Sequence, residues 1–442
     1  MNGEHEIESR NGSEPAWPRR SAERGAPDVT AAAGASSGTA SAAGGSAAPS
    51  SAGPGGFDPP PPVPGVVPFH VDVPQAALDD LQRRLAATRW PDRETVTDWS
   101  QGVPLDRLQA LVAYWRDGYD WRRAERALNR FPQFRTEIDG LGIHFVHARS
   151  KHPDAMPILL THGWPGSIFE LLPVIEPLTD PTAHGGAAGD AFHVVVPSLP
   201  GYGFSDKPTA TGWNMLRVAG AWTALMQRLG YARWVAQGGD WGAVVAIVLA
   251  KLKPAGLAGI HVNFPMVFPN PIPTSGLSSD EQAAVAAVRA FRDQQYGYFL
   301  QQQTRPQTIG YALTDSPVGQ AAWIYEKFHA WTDHDDTTDS ALGRDDMLDD
   351  ITLYWLTGTA ASSARTYWEN PPKAPFSGGL VEIPVGVSVF PKELFRAPRS
   401  WTERAYPQLI HFNQLARGGH FAALEQPALL VSEIRATFAG LR

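Results

Sequence analysis

Apolar residues recur at helical spacing in two early stretches, Ala76–Ala87 and Leu105–Tyr119, where Leu, Val and Trp fall three or four positions apart. The turn-rich Arg89-Trp90-Pro91-Asp92 separates them. From Phe134 to Ala148 the period changes to two, on either side of Asp139-Gly140, which predicts a hairpin with a two-residue turn. Short apolar runs then alternate with longer helical ones. Strands are predicted at Met156–Thr161, Phe192–Pro197, Arg233–Gln237 and Gly259–Asn263 and, after a gap, at Pro384–Phe390 and Gln408–Asn413. Strands alternating with helices imply an α/β protein whose mostly parallel central sheet carries helices on both faces. The gap from Asn263 to Pro384 is too long for a connection within such a sheet. Within it Ser279–Gln303 and Asp345–Tyr354 read as helical, with turns at Pro271–Gly276 and Asp333–Asp336, so an inserted helical cap is expected. No internal repeat is present.

Composition narrows the function classes. A hydrophobic content of 43% with 19% charged residues describes a globular chain, and 15 Trp supply large apolar side chains for a core or a ligand pocket. A net charge of -8 argues against a nucleic-acid partner, and no basic run suggests an anionic membrane surface. The longest late apolar run, Ala243–Ala250, falls far short of the ~20 residues of a membrane span. With no cysteine, disulfides, thiol nucleophiles and thiolate metal sites are excluded. The first 60 or so residues lack a secretory pattern. Ala, Gly, Ser and Pro dominate residues 26–66, up to Asp58-Pro59-Pro60-Pro61-Pro62, and predict a disordered tail with no part in catalysis. The expected location is the cytoplasm.

The chemistry centres on Val235-Ala236-Gln237-Gly238-Gly239-Asp240-Trp241-Gly242-Ala243, where an apolar strand meets an apolar helix through Gly-x-Asp-x-Gly. In the usual nucleophile elbow a serine stands at this sharp turn, with glycines letting the backbone crowd together. Here the exposed group is a carboxylate, which needs no base to activate it and can attack a saturated carbon to leave an ester. Epoxides and alkyl halides suit that chemistry. In a doubly wound sheet reactive groups gather after the carboxyl ends of strands, and three further elements fall there. His162-Gly163-Trp164-Pro165-Gly166 offers a backbone N–H that, paired with that of Trp241, would make an oxyanion hole. Arg417-Gly418-Gly419-His420-Phe421 makes His420 the candidate base, and Phe390-Pro391-Lys392-Glu393 supplies Glu393 as the acid that orients it. His144 and His147 in the hairpin and His411 in a strand read as structural. Asp333-His334-Asp335-Asp336 reads as a solvated turn, so neither metal nor cofactor is expected.

These stretches, together with Leu128-Asn129-Arg130-Phe131-Pro132-Gln133-Phe134 and Asp315-Ser316-Pro317-Val318-Gly319, resemble epoxide hydrolases of the microsomal type in the α/β-hydrolase superfamily, from about Pro68 to the C-terminus. The resemblance implies an α/β-hydrolase fold in which residues 67–150 form an N-terminal segment wrapping cap and core, 151–265 and 379–442 the core, and 266–378 the cap. Residues 1–66 stand where membrane-bound relatives carry an anchor, as in soluble microbial members. It implies two cap tyrosines that donate to the epoxide oxygen, placed on Tyr298 and Tyr367; local spacing alone does not separate Tyr298 from Tyr296. The oxyanion N–H groups are expected to be those of Trp164 and of Trp241, the residue directly after the nucleophile. The implied reaction is detoxifying hydrolysis of a small apolar epoxide to a vicinal diol; a homodimer is left open. Two alternatives share the scaffold: a haloalkane- or haloacid-type dehalogenase, and a non-catalytic small-molecule receptor.

Overall fold

The computed structural model describes Phe57 and residues 60–442, apart from 270, 336–337 and 372–378. Most of the tail expected to be disordered, 1–56 and 58–59, therefore lies outside the described residues, as does Asp336 of the expected turn.

The lead-in comprises β1 (Val66–Phe69), α1 (Gln75–Ala86), α2 (Leu105–Asp117) and α3 (Trp121–Asn129), followed by the hairpin β2 (Gln133–Ile138) and β3 (Leu141–Ala148). The α/β part continues with β4 (Met156–Thr161), α4 (Ile168–Thr179), β5 (Phe192–Pro197), α5 (Met215–Arg228), β6 (Trp234–Gly238), α6 (Asp240–Leu252) and β7 (Leu257–Val262). Six helices follow: α7 (Ser279–Gln294), α8 (Gly297–Thr304), α9 (Pro306–Asp315), α10 (Pro317–Trp331), α11 (Arg344–Thr357) and α12 (Ala360–Glu369). The chain then returns to the sheet through β8 (Val385–Val389), α13 (Arg399–Ala405), β9 (Leu409–Gln414), α14 (Ala422–Glu425) and α15 (Pro427–Phe438).

Among the described residues nine strands form one sheet in the order β1-β2-β3-β5-β4-β6-β7-β8-β9. The hairpin side is antiparallel, and from β5 to β9 all neighbours are parallel. Burial on both faces follows from the strand period of two. Ile158, Leu160, Val194 and Val196 join the apolar cluster around α4 and α15, whereas Leu159 and Val195 join the cluster around α5 and α6. A buried polar knot ties the far strands. Glu433 of α15 accepts from Ser388 Oγ at 2.7 Å, His411 Nε2 at 2.7 Å and Asn413 Nδ2 at 2.8 Å, and Ser388 also meets His261 at 2.9 Å.

Several elements differ from the sequence expectation. The lead-in contributes a strand, β1, as well as helices, because Val66–Phe69 pairs with β2 across the whole α1–α3 excursion. The single helix expected over Ser279–Gln303 is two, α7 and α8, broken at Gln295-Tyr296. The Asp315-Ser316-Pro317 stretch is a helix start: Ser316 Oγ accepts the Gly319 N–H at 3.0 Å, and Pro317 occupies the first turn, where a missing N–H costs nothing. The turn expected to be solvated at Asp333 is not. Asp333 is half-buried; its N–H donates to Glu425 at 2.7 Å and its carboxylate accepts the Gly418 N–H at 2.8 Å, while His334 Nε2 bonds the His329 carbonyl at 2.7 Å.

Phe57 packs its ring on Phe131 at 5.3 Å. Removing residues 1–56 is expected to leave the melting temperature unchanged, and a fall of more than about 2 °C on calorimetry would show that the tail stabilises the fold.

Candidate active site

The turn between β6 and α6 is set by steric necessity. Asp240 has φ 45°, in the left-handed region that costs an ordinary residue roughly 1–2 kcal/mol. The flanking glycines make this affordable. A Cβ on Gly238 would lie 2.2 Å from the backbone of Gly242, and one on Gly242 would lie 1.8 Å from the Thr161 carbonyl oxygen at the end of β4. The turn presses β6, α6 and β4 together and lifts the Asp240 carboxylate above the sheet.

The loop after β4 closes over that carboxylate. The Trp164 N–H donates to Asp240 Oδ1 at 2.8 Å, and a Cβ on Gly163 would strike Oδ1 at 2.2 Å, so only glycine lets the loop come this near. His162 locks the loop from behind. Its Nε2 accepts the Leu199 N–H at 3.1 Å, which assigns the proton to Nδ1, 3.0 Å from the Gly163 carbonyl; burial lowers its pKa to about 4 and keeps it neutral. The Tyr354 hydroxyl donates to the Gly166 carbonyl at 2.9 Å. Trp241 N–H lies in the first turn of α6, where backbone donors have no partner within the helix.

His420 follows β9 and Glu393 follows β8, and both are buried. Glu393 Oε1 accepts from His420 Nδ1 at 2.6 Å and from the Leu394 N–H at 2.7 Å, which orients the ring and leaves Nε2 3.5 Å from Asp240 Oδ2. Burial alone would lower the His420 pKa. The charge of Glu393 and the hydrogen bonds to Asp240 and Glu393 outweigh it and hold the imidazole well above its ordinary range. The three histidines read as structural are engaged elsewhere: His144 by Ser198 and Gln133, His147 by Tyr231, and His411 by Glu433.

The tyrosines arrive from the helices between β7 and β8. Tyr298 on α8 and Tyr367 on α12 are buried, with rings 5.9 Å apart. The Trp164 ring stacks on Tyr298 at 5.1 Å and meets Tyr367 edge-on at 5.8 Å, while Trp241 packs on Tyr367 at 5.0 Å. Burial raises both phenols well above their ordinary pKa, with the Asp240 charge adding to it, so both stay protonated donors. Tyr296 is placed differently: half-buried, it stacks on Phe299 at 4.7 Å and packs against Phe291 at 5.7 Å. The fold thus brings Asp240, Trp164, Trp241, His420, Glu393, Tyr298 and Tyr367 to one place and leaves Tyr296 at its edge.

With that geometry in place, similarity to known proteins is decisive. The family profile described as "Epoxide hydrolase N terminus" matches residues 66–171, and "alpha/beta hydrolase fold" matches residues 156–309. A Stigmatella aurantiaca protein named "Putative epoxide hydrolase" is 67% identical over 86% of this chain and 86% of its own length. The chain belongs to the epoxide hydrolase family. Epoxide hydrolase 1 of Sus scrofa is 37% identical over 85% of this chain and 88% of its own. The solved Aspergillus niger epoxide hydrolase superposes with a TM-score of 0.76 at 32% identity, covering 88% of this chain and 98% of that one. As an epoxide hydrolase the protein is an enzyme with an epoxide substrate, on an α/β-hydrolase fold with a helical cap, and the dehalogenase and receptor alternatives are not favoured. No helix among the described residues is long and apolar enough to cross a membrane.

Glu170, half-buried beside the site, escaped the sequence reading. Ser167-Ile168-Phe169-Glu170 has the spacing of a capping box, yet Ser167 Oγ accepts the Phe169 N–H at 3.2 Å, and Glu170 Oε2 lies where a Gly166 Cβ would point, 2.1 Å from it. Burial raises Glu170 to about 8; it likewise raises Asp349 and Glu425 to about 7.

Two outcomes follow from this electrostatic and steric arrangement. Gly242→Ala is expected to lose roughly 3 kcal/mol or more of stability in urea unfolding, because rigid backbone meets the new Cβ. The three raised carboxyls favour the fold while protonated, a contribution complete below the ordinary carboxylate pKa and lost as pH rises through about 7 to 8. The melting temperature should therefore fall from about pH 5 to about pH 9, and Glu170→Gln should flatten that fall; an unchanged slope in the variant would contradict the assignment.

Proposed function

We propose that Asp240 is the nucleophile, that Tyr298 and Tyr367 hold the epoxide oxygen, and that His420, oriented by Glu393, activates the hydrolytic water. Trp164 carries this reading: its N–H binds Asp240 Oδ1 while its ring packs on both phenols, so one residue spans nucleophile and donors.

Because Oδ1 is held by that N–H, Oδ2 makes the attack. Its new bond to an epoxide carbon forms as the ring C–O bond breaks, and the released pair passes to the oxygen that the two phenols face. A strained alkoxide is a poor leaving group without a donor, and two neutral phenols meet that need at no charge cost. The product is a hydroxyalkyl ester on Asp240.

Ester formation also prepares the base. It removes the Asp240 charge that helps hold the proton on His420, so the imidazole shifts toward its neutral form. The proton that the alkoxide must gain and the proton that His420 must lose balance. Neutral His420 then takes a proton from water, the hydroxide attacks Cγ of Asp240, and charge collects on Oδ1, facing the N–H groups of Trp164 and Trp241. The Cγ–Oδ2 bond breaks and a vicinal diol leaves. In this reading residues 266–378 are the cap, and the surrounding Trp164, Trp241, Phe299 and Trp331 suit an aryl or bulky apolar epoxide.

The test is single-turnover hydrolysis of styrene oxide in heavy-oxygen water with enzyme in excess. The first diol should carry no label and Asp240→Ala should make none; diol labelled in the first turnover would mean direct attack by water. His420→Gln should accumulate the ester, seen as a mass increase on the peptide bearing Asp240. Tyr298→Phe and Tyr367→Phe should each slow ester formation about 10²-fold, measured by rapid quench.

A further inference from the structure

The chemistry above leaves the buried charge of Lys327 without a use. The Lys327 side chain, on α10, is 2% exposed, and its Nζ lies 4.4 Å from the centre of the Tyr298 ring and 5.8 Å from that of Trp331. It donates to Glu326 Oε1 at 2.8 Å, a carboxylate that is itself 33% exposed. Burying an ammonium beside aromatic rings with one partly solvated counter-ion is a costly way to fill space. An unbranched apolar chain of the same length would fill it without desolvating a charge. What such a chain could not do is act on the charge of the phenol.

We infer that Lys327 is a positioning residue acting through Tyr298: its ammonium, held over the ring, favours negative charge on the phenol and so strengthens the hydrogen bond Tyr298 gives to the opening epoxide. The inference rests on the reading of Tyr298 as a donor. Its physical basis is the attraction of a cation for an electron-rich ring face, which is strongest when both are desolvated. As Asp240 Oδ2 bonds to carbon, charge leaves the carboxylate and the breaking C–O bond delivers it to the oxygen the phenols face. The Tyr298 O–H is then drawn toward that oxygen and its ring becomes richer in electrons. A fixed cation over that ring gains stabilisation as the charge arrives and little before it, which is the differential interaction that speeds a step. Burial and the Asp240 charge both oppose charge on Tyr298 in the resting site, and Lys327 supplies the opposing field.

The experiment is a double-mutant cycle in which ester formation and ester hydrolysis are timed separately by rapid quench with styrene oxide. Lys327→Met, close in length and uncharged, should slow ester formation roughly tenfold. Ester hydrolysis, in which Tyr298 has no part, should stay within about threefold, and adding Lys327→Met to Tyr298→Phe should slow ester formation no further. Equal slowing in both backgrounds, or equal slowing of both steps, would show a merely structural lysine and overturn the inference while leaving Tyr298 as a donor. Undiminished ester formation in Tyr298→Phe alone would instead remove the donor reading itself, and this inference with it. Should Lys327→Met fail to fold, Lys327→Arg keeps a cation at the ring and serves the same cycle. Ester formation within about threefold of the native rate, or a loss that disappears in Tyr298→Phe, supports the inference, and a loss carried undiminished into Tyr298→Phe overturns it.

Discussion

Everything in this molecule's site hangs on how tightly three pieces of backbone cross beneath Asp240. The end of β4, the end of β6 and the first turn of α6 approach so closely that Gly242 has no room for a methyl group against Thr161, and Gly163 none against the carboxylate. The crossing forces Asp240 into a left-handed conformation and points its side chain at the loop after β4, where it accepts the Trp164 N–H. Strain of this kind is held only where the surroundings over-determine it. Here the sheet core, with Leu159 and Ala236 on one face and Ile158 and Val235 on the other, does the determining.

Around that crossing the electrostatics divide by element. The sheet side brings charge: Asp240, Glu393 and His420 interact strongly enough to hold the imidazole protonated despite full burial. The helices between β7 and β8 bring neutral donors whose burial keeps them neutral. On the proposed chemistry the separation matters because a reaction that moves negative charge from a carboxylate to an alkoxide needs a base at one end and uncharged acids at the other. Trp164 joins the two halves, with its backbone on one side and its indole on the other.

How much of this was legible beforehand depended on the range of the contacts. β4 and β5 were read to the residue because their burial on both faces leaves a continuous apolar run bounded by turns. The Asp240 elbow was legible because its geometry demands glycines two positions either side. β1 was missed, as Val66-Val67-Pro68-Phe69 is short, contains proline and pairs only with β2. α10 was missed because Ala322, Trp323 and Ala330 lie opposite the buried stripe of Val318, Ala321, Ile324, Phe328 and Trp331 and blur its amphipathic period. Tyr298 and Tyr367 came from family resemblance, since spacing could not tell Tyr298 from Tyr296. Lys327 gave no local signal and Glu170 only a capping-box spacing, because a charged residue reads as solvent-facing until another element covers it.

The unequal treatment of the two Asp240 oxygens gives the catalyst a memory. Oδ1 is pinned by Trp164, whereas Oδ2 faces His420. On the proposed chemistry only the second of these departs with product, and the atom that replaces it comes from the water just consumed. Each diol then carries away an oxygen acquired from solvent in the preceding cycle, while the pinned atom stays for the life of the protein. The carboxylate works as a one-place register, written by one turnover and read out by the next.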